Sequence, residues 1–88
     1  MMAEVMAQEK SIVIEYFALL REQRGQAAET AQTTAATPAE LYAQLQAAHG
    51  LTLPCQVLGV ALNGSYSHMH APLRDGDRVA YIQPVAGG

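Results

Sequence analysis

The signals at Thr37-Pro38-Ala39-Glu40 and at Gly50 bracket one long helix, and that single helix limits what the chain can fold into. Thr37 suits the cap, Pro38 suits the first helical position, and Glu40 can reach back to complete a capping box. Leu41, Leu45 and Ala48 then recur at helical spacing with Tyr42 beside them, and Gly50 supplies the stop. The other patterned segments are strand-like or short, and one long helix covers one face of one small sheet. The expected class is α+β, a mixed sheet packed on one main helix.

The strands are read from period-2 alternation. Ser11 to Phe17 sets Ile12, Ile14 and Tyr16 on one face and Val13, Glu15 and Phe17 on the other. The all-apolar face is expected to meet the core, which places Phe17 on the charged face, where a large aromatic needs a partner to cover it. Ala18 to Arg24 carries helix formers and stops at Gly25, with Leu19 and Leu20 as anchors. Gln26 to Thr34 is either a short strand pairing with the first or a connection. After a connection through Pro54, the apolar run Val57 to Leu62 ends at Asn63-Gly64, a strong hairpin signal, and the return strand takes in Tyr66 and Ser67. Irregular chain over 68–72 leads to a tight turn at Leu73 to Asp77. The last strand, Arg78 to Gln83, sets Val79 and Tyr81 against Ala80 and Ile82.

Residues 84–88 then read as a projecting tail. Pro84 cannot continue a sheet ladder, and Gly87-Gly88 add no side chains, so the flexible Gly-Gly segment is expected to leave the fold near residue 83. Fully extended it reaches roughly 17 Å, enough to thread a narrow channel and deliver the Gly88 carboxylate into another protein. At the other end, residues 1–10 lack a period and are expected to form a disordered extension, leaving 11–83 as one folding unit.

Size and charge narrow the function. A chain of 88 residues buries only about 60–65% of its unfolded surface, which leaves little room for an enclosed catalytic pocket and favours a carrier or binding module. Five basic against eight acidic residues, formal charge −3, give no electrostatic footprint for nucleic acid or an anionic membrane. No apolar run approaches the roughly 18 residues of a membrane span, and a cytoplasmic setting is the default. Cys55 is the only cysteine, so no internal disulfide or cysteine cage can form, and it reads as a small apolar residue. His68-Met69-His70 offers two imidazoles without a third ligand, so no metal site is expected. Ser65 and Ser67 form no recognisable nucleophile motif, and Arg74, Asp75, Asp77 and Arg78 read as turn and surface charges.

The chain resembles the small subunit of molybdopterin synthase, the ubiquitin-like sulfur carrier of molybdenum cofactor biosynthesis. The likeness covers residues 12–88 and rests on Tyr16-Phe17-Ala18 running into Leu20-Arg21-Glu22 and Gly25, on Val60-Ala61-Leu62-Asn63, Pro72-Leu73, Asp75-Gly76-Asp77 and Val79-Ala80, and on the terminal Pro84-Val85-Ala86-Gly87-Gly88. Gln83 stands where that family often has a second proline, which removes stiffness from the root of the tail. Cys55 is not a family motif, and the N-terminal extension is longer than usual.

The resemblance implies a ubiquitin-like β-grasp fold and a carboxylate that is activated and then sulfurated. An ATP-dependent adenylyltransferase of the ubiquitin-activating type would adenylate Gly88, and a sulfur donor protein would convert the acyl-adenylate to a thiocarboxylate. Gly87, Pro84, Val85 and Ala86 would thread the large subunit, which would carry most of the catalytic side chains and transfer two sulfurs to cyclic pyranopterin monophosphate. Phe17, Tyr66 and Ile82 match family positions that pack against that subunit, in a heterotetramer of two small and two large chains. No tightly bound cofactor is implied. Two other readings stay open: a carrier for thiamine thiazole synthesis or tRNA thiolation, and a non-catalytic β-grasp binding module.

Overall fold

The computed structural model describes residues 8–84. Most of the expected N-terminal extension, and Val85, Ala86, Gly87 and Gly88 of the expected tail, lie outside the described residues. The elements run β1 (Lys10–Glu15), α1 (Ala18–Arg24), β2 (Ala28–Thr33), α2 (Pro38–His49), a 3₁₀ turn at Cys55–Val57, β3 (Gly59–Leu62), β4 (Ser65–Ser67) and β5 (Arg78–Ile82). They build one five-stranded sheet in the order β2-β1-β5-β3-β4. β1 and β5 pair in parallel at its centre and the remaining pairs are antiparallel. This is an α+β fold with the ubiquitin-like β-grasp arrangement.

Alternation along the strands decides which face is buried. Ile12, Ile14, Tyr16, Val60, Val79 and Tyr81 point to one side and are all at most 1% exposed. α2 lays Leu41, Tyr42 and Leu45 over them, and α1 contributes Leu20. The Tyr42 and Tyr81 rings pack with centroids 5.2 Å apart and tilted by 56°, a favourable geometry for aromatic quadrupoles. Their hydroxyls need partners once buried, and each donates to a carbonyl: Tyr81 to Pro38 at 2.8 Å and Tyr42 to Leu53 at 2.7 Å.

Local chemistry sets the boundaries. Thr37 Oγ1 accepts from the Glu40 amide at 3.2 Å, and Pro38 opens α2. The Glu40 carboxylate reaches past the cap to the Ala36 amide at 2.9 Å, where a capping box would return it to Thr37. Gly25 closes α1 in the left-handed region at φ 73°, its amide bonded to the Arg21 carbonyl. At the hairpin tip, Asn63 and Gly64 take φ 53° and 87°, the positive pair that a two-residue turn of type I′ requires.

Several expectations are corrected. β1 begins at Lys10, one residue before the expected strand start at Ser11, and Lys10 pairs with Thr33 and sends its ammonium to the Ala35 carbonyl at 2.9 Å. The strand is shorter than expected and ends at Glu15: the Tyr16 amide adds one further in-register bond to Ala27 O at 2.8 Å, and Phe17 is already the residue before α1. The segment 26–34 is a true strand, with Ala28–Thr33 running antiparallel to β1. Leu19, 39% exposed, leaves Leu20 as the single anchor of α1. Ala48 is exposed, because the buried stripe of α2 ends at Leu45. Val57 is also exposed: the residues 55–57 form the 3₁₀ turn, and the strand begins only at Gly59. Cys55 is half-buried and packs against the core.

A polar network ties β1, α1 and β2 together. Arg24 meets Glu29 with two parallel hydrogen bonds, Nε at 3.0 Å and Nη2 at 2.7 Å, while the Tyr16 hydroxyl donates to the same carboxylate. The Arg24 hydrogen bonds are the main cause holding the Glu29 carboxyl below its ordinary range, and burial is the main cause pushing the Tyr16 phenol up. A carboxyl whose folded pKa is depressed stabilises the fold in full above its unfolded value, and the contribution is lost as pH falls through the folded one. Melting temperature is therefore expected to begin falling below about pH 4.3 and to keep falling as Glu29 protonates. Glu29→Gln should lower stability by about 1–3 kcal/mol at neutral pH and flatten that acid limb. An unchanged limb in the variant would show that other carboxylates govern it.

Candidate functional site

Among the described residues no helix lies over the face of the sheet opposite α2. Register places Glu15 beside Ala80, Ala80 beside Ala61 and Ala61 beside Tyr66, a row that crosses four strands on this open side. Its middle is floored by alanines, so the larger side chains at the margins stand above it. Phe17, Tyr66 and Ile82 surround a shallow groove of about 430 Å³ with Ala61, Gly64 and Ala80. Phe17 is 50% and Tyr66 87% exposed, and Ile82 is half-buried. Contiguous exposed apolar side chains of this size mark an interaction surface more often than scattered ones do.

The three aromatic and aliphatic residues singled out from sequence thus converge, although they come from three separate places in the chain. Phe17 keeps its strand parity because its backbone remains extended, at φ −131° and ψ 156°, after the ladder has ended. Tyr66 is delivered by the tight Asn63-Gly64 turn, and Ile82 by the central strand. A second hollow of about 400 Å³ continues the groove over Ala61 and Ala80 toward Val13, Glu15, Asn63 and Arg78. Glu15, half-buried, and Arg78, exposed, lie 3.9 Å apart there, a solvent-facing pair that contributes little stability. The open face is therefore apolar at the end where β5 finishes and polar at the end where it begins.

The turn charges are better placed than their sequence reading implied. Asp75 accepts from the Ser11 amide at 2.7 Å, and Asp77 accepts from the Arg74 amide at 2.9 Å and the Asn63 side chain at 3.0 Å. Asn63 also takes the Arg78 amide at 2.9 Å, so the hairpin tip is pinned to the start of β5. Sequence gave no signal for this beyond the residue types. His68 and His70 are exposed, while Met69 is half-buried and its carbonyl takes the Ala39 amide at 2.9 Å. Among the described residues no cluster of three His, Cys, Asp or Glu side chains comes together, and no helix is long and apolar enough to cross a membrane.

The root of the tail lies beside the patch. Ile82 ends β5, and Gln83 and Pro84 follow it out of the sheet. The Gln83 side chain turns back onto the start of α1: its Nε2 donates to Phe17 O at 2.7 Å, and its Oε1 accepts from the Leu20 amide at 3.4 Å. Sequence comparison suggested a looser root here, and the side-chain bonds supply a restraint that Gln83 does not signal by type. Gly88, Gly87, Ala86 and Val85 lie outside the described residues, and Pro84 is exposed.

Comparison with known proteins matches residues 14–88 to the ThiS family. A search of curated proteins gave no match. Among solved structures, the HVO 2177 protein of Haloferax volcanii superposes with a TM-score of 0.77 at 28% identity, over 91% of this chain and 88% of that one. Small archaeal modifier protein 1 of Methanosarcina acetivorans has a TM-score of 0.74 at 17% identity, covering 92% and 99%; at that identity the likeness speaks to fold alone. A complex of subunits 1 and 2 of the molybdopterin-converting factor from Helicobacter pylori matches at 30% identity with a TM-score of 0.58, covering 89% and 99%.

Proposed function

This chain belongs to the ThiS family, and from that premise we propose that it is a sulfur carrier whose Gly88 carboxylate is adenylated, converted to a thiocarboxylate and delivered to a partner enzyme. The observation that carries the reading is the position of the central strand: β5 ends at Ile82, within the exposed apolar patch that also holds Phe17 and Tyr66. A protein docked on that patch receives whatever follows Pro84.

The chemistry suits a carrier. A free carboxylate is a poor electrophile, whereas the mixed anhydride with AMP has a good leaving group. ATP is the substrate of the activating adenylyltransferase, and pyrophosphate leaves as the anhydride forms. The terminal sulfur of a donor persulfide attacks the acyl carbon and AMP departs. A second donor thiol then cleaves the acyl disulfide, freeing the thiocarboxylate and leaving a disulfide on the donor. An ionised thiocarboxylate is a nucleophile that needs no neighbouring base, so the carrier itself has no catalytic side chain to supply.

Among sulfur-accepting pathways, molybdopterin synthesis is the reading we favour, with support from the likeness to the small-and-large-subunit complex of Helicobacter pylori. Val85, Ala86 and Gly87 would thread the large subunit, and cyclic pyranopterin monophosphate would accept the sulfur. Incubation with the cognate activating enzyme, ATP and a sulfur donor should raise the intact mass by about 16 Da, the exchange of one oxygen for sulfur at the activated acyl carbon. An unchanged mass with an activating enzyme shown to be competent on another carrier would overturn the proposal.

A further inference from the structure

Ala18 takes φ 47° at the first position of α1, a left-handed conformation that costs an alanine roughly 1–2 kcal/mol. Such strain persists only where neighbouring contacts over-determine it, and it gathers at sites that work. Here Gln83 supplies two of those contacts. Its carboxamide bonds the Phe17 carbonyl on one side of Ala18 and the Leu20 amide on the other, so one side chain from the end of the sheet spans the strained residue. Phe17 has no side-chain cap of its own to offer α1, and Gln83 fills that role by accepting from the Leu20 amide, 63 residues away in the chain.

The geometry points to Gln83 as a positioning residue for the tail: its clamp on the α1 start fixes the direction in which the chain leaves β5 relative to the docking patch. The clamp is built on Phe17 itself, so the patch and the tail root move as one piece. A chain end already aimed has less freedom to lose on entering a partner, and that saving appears in binding rather than in the chemical step. This delivery role rests on the sulfur-carrier reading; the clamp does not.

Gln83→Leu keeps the bulk and removes both hydrogen bonds. Gln83→Asn keeps the polarity but is one methylene short of the span. In both variants the Leu20 amide should exchange with deuterium faster and the ¹⁵N heteronuclear NOE of the Gln83 position's backbone amide should fall. In adenylation by the cognate activating enzyme, KM for the carrier should rise about fivefold while kcat stays within about twofold, the pattern of lost binding without lost chemistry. Unchanged exchange and NOE in the leucine variant would overturn the clamp. A loosened root with unchanged KM, a fall confined to kcat, or an asparagine variant that behaves as wild type would overturn the positioning role. If the wild-type chain is not adenylated at all, the carrier reading fails with the delivery role, and the exchange and NOE measurements still decide the clamp.

Discussion

Phe17→Asp is expected to weaken association with a partner protein docked on the open face by about 2 kcal/mol or more, roughly 30-fold in Kd, as a hot-spot loss does. The residue is half exposed at the margin of the open groove, so a carboxylate there stays solvated in the free chain and is stripped of water only in the complex. Ile82→Asp should act in the same direction. Ile82 is half-buried, so circular dichroism must first show that the variant folds. Titration calorimetry against the partner reads the effect, with Gln32→Asp on the exposed edge strand as a control for added charge. Unchanged affinity in a folded Phe17→Asp/Ile82→Asp double variant would place the interface elsewhere.

That prediction could be made from parity, because side-chain direction in a strand is fixed by counting. The counts for Ile12, Ile14, Val79 and Tyr81 against Ala80 and Ile82 all hold in the structure. Signals confined to a few bonds were equally readable: the Thr37 cap, the Gly25 and Gly50 stops and the Asn63-Gly64 turn depend on backbone chemistry within one turn. What sequence did not reveal involves partners far apart in the chain. Ala28–Thr33 alternates weakly because it is an edge strand with only Thr33 fully buried, and its identity comes from pairing with β1. Leu19 and Ala48 have the right spacing for burial, but spacing does not say where the opposing surface ends. The Gln83 bonds to Phe17 and Leu20 join the two ends of the fold, and glutamine at a strand end carries no type-level hint of them. The expected extension and tail fall largely in 1–7 and 85–88, outside the described residues.

For that tail, Gly88→Ala should leave the fold intact and cut sulfur loading by about 100-fold, the loss that a misplacement of about 1 Å at a reacting centre brings. A residue beyond Pro84, which is itself exposed, should change stability by less than about 0.5 kcal/mol, the usual bound for surface substitutions. If Gly88 must pass through a slot shaped for bare backbone, a β-carbon there either clashes or tilts the carboxylate away from the α-phosphate of ATP. Extending the chain by one residue should be worse. The Gly88 carboxylate then becomes an amide, and an amide offers no oxyanion to attack ATP until it is cleaved. Single-turnover adenylation followed by sulfur transfer, run on wild type, Gly88→Ala and the extended chain, separates a blocked channel from a missing nucleophile: alanine should slow both steps, and the extension should stop the first. If an extended chain shown by mass to be uncleaved still delivers sulfur, the carrier mechanism proposed here is wrong, and the apolar patch beside Ile82 serves a partner that never reads the tail.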